Sequence, residues 1–174
     1  VRHVEFTLNT EGAFDLIREF SAEEGLAVGA GTVLTPEEAV RACDQGAEFL
    51  VSPVVDEAVI REATRLGVPI IPGTQTPTEM LTAHQHGAPL QKLFPAPGTG
   101  PEFVRACLGP LPFLRIVPTH GVTIENAESW LDAGAYAVGF VASLFHPTDM
   151  ASENYSAIES RASKIREIAD RNGQ

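Results

Sequence analysis

Apolar and polar positions alternate between two periods along this chain. Short runs rich in β-branched residues and ending in Gly, Pro, Thr or Ser are each followed by about ten to fifteen residues with helical spacing of apolar positions. The first kind predicts strands over His3–Leu8, Ala27–Gly31, Phe49–Ser52, Pro69–Pro72, Gln91–Phe94, Arg115–Thr119 and Ala137–Val141. The second predicts helices over Ala13–Glu24, Pro36–Gln45, Glu57–Leu66, Thr78–His86, Pro101–Leu108, Glu125–Ala133 and Glu153–Arg171. Thr35 with Glu38 three residues later reads as a capping box, and Pro101 suits a first helical turn. Gln45-Gly46-Ala47, His86-Gly87-Ala88 and Ala133-Gly134-Ala135 repeat one punctuation, a helix end turning into the next strand.

Strands that alternate with helices this regularly should be parallel, with right-handed crossovers. Seven strands and seven helices leave two architectures, a (β/α)8 barrel lacking one unit or an open doubly wound sheet. No Gly-rich dinucleotide fingerprint follows the first strand, which lowers the second. No linker or low-complexity segment divides the chain, so residues 1–174 are expected to form a single barrel domain. Val1 opens almost inside a strand, with no initiator Met and no signal- or transit-peptide pattern. The expectation is an N-terminally incomplete domain, preceded natively by about 35–40 residues, the length of one such βα unit.

Length and charge narrow the class. The 174 residues, 44% hydrophobic and 20% charged, suit one ordinary globular domain. No apolar run is long enough to span a bilayer. A formal net charge of −11 argues against nucleic acid and anionic membranes as partners. Cys43 and Cys107 form no CxxC pair and read as buried thiols in a reducing, cytoplasmic compartment.

In both architectures ligands bind at the C-terminal ends of the strands. Polar residues inside the apolar runs therefore carry the interest. The chain has ten arginines but two lysines, and Lys92 sits within Leu90-Gln91-Lys92-Leu93-Phe94-Pro95, a strand that should be buried. Desolvation lowers an amine's pKa, and only the neutral amine attacks a carbonyl. A lysine snorkelling to the barrel mouth to make an ion pair explains the same placement. Glu5, between Val4 and Phe6, should point to the opposite face from its apolar neighbours. It reads either as a counterion of Lys92 or as a general acid/base. The small residues of Gly29-Ala30-Gly31-Thr32 would let a ligand approach the backbone. Thr32, Thr74 and Thr119 each offer a hydroxyl at a strand end. The pairs and clusters His84/His86 and His3/Glu5/His120 lack the spacing that fixes a metal.

Together these segments resemble one family. Val4-Glu5-Phe6-Thr7-Leu8-Asn9-Thr10, Gly29-Ala30-Gly31-Thr32-Val33-Leu34, Ser52-Pro53, Ile71-Pro72-Gly73, Lys92-Leu93-Phe94-Pro95-Ala96 and Pro118-Thr119-His120-Gly121-Val122 look like the 2-keto-3-deoxy-6-phosphogluconate / 4-hydroxy-2-oxoglutarate aldolases, in that family's order and spacing. The resemblance implies a (β/α)8 barrel and a homotrimer. It implies a class I mechanism, with a Schiff-base lysine and neither metal nor other cofactor. The substrate would be a small 2-keto acid, a 2-keto-3-deoxy sugar acid 6-phosphate or 4-hydroxy-2-oxoglutarate, cleaved to pyruvate and an aldehyde. Lys92 then matches the Schiff-base lysine and Glu5 the general acid/base. Gly31 and Thr32 match the part that holds the pyruvate moiety, and Pro53, Thr74, Phe94 and Thr119 match residues lining the site.

Three departures accompany the match. The family's opening strand–helix unit is absent. An arginine that many members carry four residues after the glutamate is Asn9 here. The phosphate-binding ends are altered: His120-Gly121 replaces Gly-Gly, and Val141-Ala142 stands where Gly-Ser is usual, with Ser143 one residue on. A catalytically altered barrel that binds a keto acid or sugar phosphate without turnover is the alternative these departures favour.

Overall fold

The computed structural model describes residues 2–171; the two ends of the expected 1–174 domain lie outside them. The chain divides into two compact units, one running to Lys92 and the other starting at Leu93.

The first unit opens with β1 (His3–Thr7), α1 (Ala13–Phe20), β2 (Ala27–Gly31), α2 (Pro36–Asp44), β3 (Phe49–Val51), α3 (Glu57–Leu66) and β4 (Ile70–Ile71). β1 to β4 form one parallel sheet in that order, with Glu5 opposite Gly29 and Thr7 opposite Gly31. This is the parallel βαβ alternation that the two periods predict. Apolar residues at helical spacing put Ile17, Ala39, Ala42, Val59, Ile60 and Ala63 against Val28, Ala30, Leu50 and Ile70 in one buried core. Val4 and Phe6 from β1, and Leu8 just beyond it, pack against that core, as their alternation with Glu5 requires. Phe6 also meets Phe20 at 5.4 Å between ring centroids.

Helix starts follow cap chemistry. Thr35 and Glu38 make the reciprocal capping box of α2, and the Asp56 carboxylate accepts the Ala58 and Val59 N–H groups at the start of α3. β5 (Gly73–Thr74), α4 (Pro77–Gln85) and β6 (Gln91–Leu93) complete this stretch. A second capping box, Thr76 with Glu79, opens α4 one residue earlier than its apolar pattern predicts. Beyond Pro72, where the expected strand ends, Gly73–Thr74 forms a further short strand, and Pro72 and Thr74 both hydrogen-bond the backbone of Lys92.

The second unit holds α5 (Pro101–Leu108), β7 (Ile116–Pro118), α6 (Ala127–Asp132), α7 (Pro147–Ala151) and α8 (Tyr155–Arg171). The strand expected over Ala137–Val141 is not formed. Its backbone follows β7 nevertheless, with Tyr136 N–H donating to Ile116 (2.9 Å) and Gly139 N–H to Pro118 (2.8 Å). Three residues on one side advance against two on the other, so the segment carries a bulge that breaks the regular ladder. α7 escapes a periodicity reading because it is five residues long. Arg161 ties it to α8, donating to Leu144 O (2.9 Å) and pairing with Asp149 (2.8 Å). Cys107 is buried as expected, whereas Cys43 is only half-buried; both are free thiols.

Candidate active site

The first unit brings Glu5 and Lys92 into electrostatic contact. β1 alternation turns Glu5 away from the core face, and β6 leaves Lys92 half-buried between the buried Gln91 and Leu93. Burial pushes the Lys92 amine below the usual lysine range, and the Glu5 carboxylate opposes that shift. Burial likewise pushes the Glu5 carboxyl above the usual carboxylate range, against the pull of Lys92. By surface area Glu5 is exposed. Crowding of the carboxyl from some sides and solvent access from another reconcile the two descriptions, and the open side weakens the desolvation. Both groups are thus moved toward their neutral forms, the condition for a nucleophilic amine beside a proton carrier.

Gly31 makes room for that carboxyl. A Cβ at this position would collide with Glu5 Oε1 and stand only 2.5 Å from its Cδ. Gly29 yields in the same way to the ring of Phe49, and Gly73 to the Pro53 carbonyl. The small residues of the 29–31 run therefore receive side chains of the fold itself, where the sequence suggested a ligand's approach. Thr32 follows at φ 60°, a left-handed conformation that a β-branched residue adopts at a cost of about 1–3 kcal/mol. Strain of this kind persists where the surroundings over-determine it, and here it aims a half-buried threonine from the end of β2.

The three threonines prove unlike one another. Thr74 is 1% exposed, and its hydroxyl donates to the Lys92 carbonyl at 2.9 Å. Thr119 belongs to the second unit, where its buried hydroxyl has no hydrogen-bond partner. A buried hydroxyl in that state suits a ligand contact. Also in the second unit, the exposed His120 packs edge-on against Phe94 at 6.2 Å. Gly121 has φ 73°, and its carbonyl accepts from Asn126 Nδ2 at 2.8 Å. The Ser143 hydroxyl donates to Val122 O at 2.9 Å, and Val141 is 64% exposed.

Sequence reasoning missed Asn126, which holds both Gly121 and the Thr123 N–H. An Asn just before an apolar helical stripe is the signal that could have found it. Among the described residues no three of His, Cys, Asp and Glu gather as a metal site. His86 pairs instead with Glu57 at 3.3 Å, and His3 packs against Phe49.

Residues 1–161 match the family model of KDPG and KHG aldolase. Among curated proteins, the 2-dehydro-3-deoxy-6-phosphogalactonate aldolase of Escherichia coli K12 is 37% identical over 119 residues, 68% of this chain and 58% of that protein. The KHG/KDPG aldolase of the same strain is 38% identical over 133 residues, covering 75% of this chain and 62% of its own. The chain thus spans about three-fifths of the length of these relatives. Of solved structures, native KDPGal superposes with a TM-score of 0.85 at 29% identity, covering 96% of this chain and 82% of that one. KDPG aldolase from Legionella pneumophila, with pyruvate captured as a covalent carbinolamine, gives a TM-score of 0.82 at 25% identity, over 97% of this chain and 81% of its own. The fold is that of these TIM-barrel-class aldolases.

Proposed function

Because this chain belongs to the KDPG and KHG aldolase family, we propose that it is a class I aldolase working through Lys92 and Glu5. The observation that carries the proposal is the half-buried amine of Lys92 coupled to a carboxyl that Gly31 accommodates. A pyruvate carbinolamine trapped in a structural relative supports the same chemistry.

Neutral Lys92 adds to the C2 ketone of a 4-hydroxy-2-keto acid, and loss of water from the carbinolamine gives an iminium. Glu5, directly or through a water, supplies the proton for that dehydration. As carboxylate it then takes the C4 hydroxyl proton. The C3–C4 electron pair moves toward the iminium, the aldehyde departs, and an enamine of pyruvate stays on Lys92. Proton return to C3 and hydrolysis by one water release pyruvate and the free amine. Thr32 is proposed to hold the pyruvate end with Gly31, and Pro53, Phe94 and Thr119 to line the site. Thr74, expected to line it too, has its hydroxyl on the Lys92 carbonyl. His120, Gly121 and Ser143 are proposed to face the substrate tail.

That tail decides between a phosphorylated and a short substrate. A phosphate is normally held by glycine-presented N–H groups with a supporting hydroxyl. Here Ser143 already donates to Val122 O, Ala142 has no hydroxyl, and Val141 carries a side chain where the resemblance implies glycine. Preference for an unphosphorylated acid such as 4-hydroxy-2-oxoglutarate follows. The homotrimer is proposed from family likeness, and the cytoplasmic location from the two free cysteines.

The test is pyruvate release from 4-hydroxy-2-oxoglutarate and from 2-keto-3-deoxy-6-phosphogluconate. Both should yield pyruvate, and Lys92→Met should abolish it. A kcat/KM favouring the phosphorylated acid by more than about 10³-fold, roughly 4 kcal/mol in transition-state binding, would refute the preference. Undiminished activity in Lys92→Met would refute the mechanism.

A further inference from the structure

The fold grips the backbone of Lys92 at both ends. Its N–H donates to Pro72 O at 2.9 Å, and its carbonyl accepts the Thr74 hydroxyl, also at 2.9 Å. Thr74 is a polar residue with 1% of its surface exposed, in a strand two residues long. A hydroxyl so placed must find a partner inside the protein. The one it finds belongs to the reactive lysine. Gly73 helps to set the strand's position, since any Cβ there would collide with the Pro53 carbonyl. Immediately beyond, the Thr76–Glu79 capping box starts α4 and also takes the Gln75 N–H onto Glu79 at 2.8 Å. Residues 72–76 are thus fixed along their length, and Thr74 transmits that fixity to residue 92.

We propose that Thr74 is a positioning residue for Lys92, its side-chain hydroxyl holding the lysine's carbonyl so that the amine is aimed at the substrate ketone. The inference rests on the Schiff-base role of Lys92 given above. The amine stands at the end of a flexible four-carbon stem, so a small tilt of the main chain is magnified at the nitrogen. Misplacement of a reacting atom by about 1 Å can cost as much as 10²-fold in rate. Thr74 touches no substrate in this role. Its loss should slow imine formation and leave the affinity for the keto acid nearly unchanged.

The experiment compares wild type, Thr74→Val and Thr74→Ser by the rate at which pyruvate and borohydride modify the protein, across pyruvate concentrations and pH. Circular dichroism melts establish that each variant is folded; if Thr74→Val is not, Thr74→Ala takes its place. Trapping at saturating pyruvate should fall about tenfold in the variant lacking the hydroxyl. Half-saturation should move less than about twofold, and Thr74→Ser should recover most of the rate. Equal trapping rates in all three proteins would overturn the positioning role and leave the Schiff base standing. A raised half-saturation with unchanged maximal rate would make Thr74 a substrate contact and overturn it too. No adduct on wild type would overturn the Schiff base and this inference together.

Discussion

At the residue scale, the pair Glu5–Lys92 was visible because each is misplaced by the rules of its own strand. Lysine is rare in this chain and stands in an apolar run, and glutamate alternates with Val4 and Phe6. What alternation could not decide was whether Glu5 is a counterion or a proton carrier. Its carboxyl is shifted upward because burial outweighs the attraction of Lys92, which a well-matched structural ion pair would not show. Glu5→Gln should therefore keep the fold and reduce turnover by about 10²–10⁴-fold, the usual size of general acid/base catalysis. The same substitution removes a charge that raises the Lys92 pKa. The pH at which the amine becomes neutral must then fall, and the acid limb of a borohydride-trapping profile should move to lower pH. An unmoved limb would mean that the two groups are uncoupled. Stability has its own sign. With a folded pKa above its unfolded one, Glu5 binds more protons in the native state, so stability falls as pH rises from the ordinary carboxylate range to the folded pKa. Glu5→Gln should flatten that fall.

At the element scale, helices were legible where chemistry marks both ends. α3 and α5 match their expected bounds, and the capping box of α2 was readable from Thr35 and Glu38. The start of α4 was read one residue late because Thr78 also looks like a helix start, whereas the box is Thr76–Glu79. Thr76→Ala should lower stability by about 1 kcal/mol, as loss of such a cap usually does, measured by denaturant unfolding. Glu79 is held below the usual carboxylate range first by the Gln75 N–H and then by Thr76. A depressed pKa stabilises above the unfolded value, and the benefit goes as pH falls through the folded one. The deficit of Thr76→Ala should accordingly shrink in acid; a deficit independent of pH would contradict a contribution from the Thr76 hydroxyl to the Glu79 carboxylate and leave only the cap on the Glu79 N–H. The bulged 137–141 segment shows why the last strand was misread. Its apolar content suits a strand, but one extra residue between the Tyr136 and Gly139 hydrogen bonds breaks the ladder, and no periodicity encodes that slip. The contacts of Thr74 and Gly31 were hidden for a related reason: each is made with a neighbour 18 or 26 positions away in sequence, Lys92 or Glu5.

At the scale of the whole molecule, repeated βα units identified the fold class before any geometry, and the aldolase superpositions agree with it. The two compact units meet in sequence between Lys92 and Leu93, so Glu5, Gly31, Pro53, Thr74 and Lys92 fall in one and Phe94, Thr119, His120 and Ser143 in the other. Among the described residues no helix is long and apolar enough to cross a membrane. With a net charge of −11, the anionic keto acid proposed as substrate would have to bind through local groups against an unfavourable overall field. A covalent bond to one amine is the most direct sign that it does so. Incubation with pyruvate and sodium borohydride, followed by intact mass and peptide mapping, should show a single carboxyethyl group, carried by Lys92. An adduct on Lys164 instead, or an active protein that acquires none, would contradict a Schiff base at Lys92.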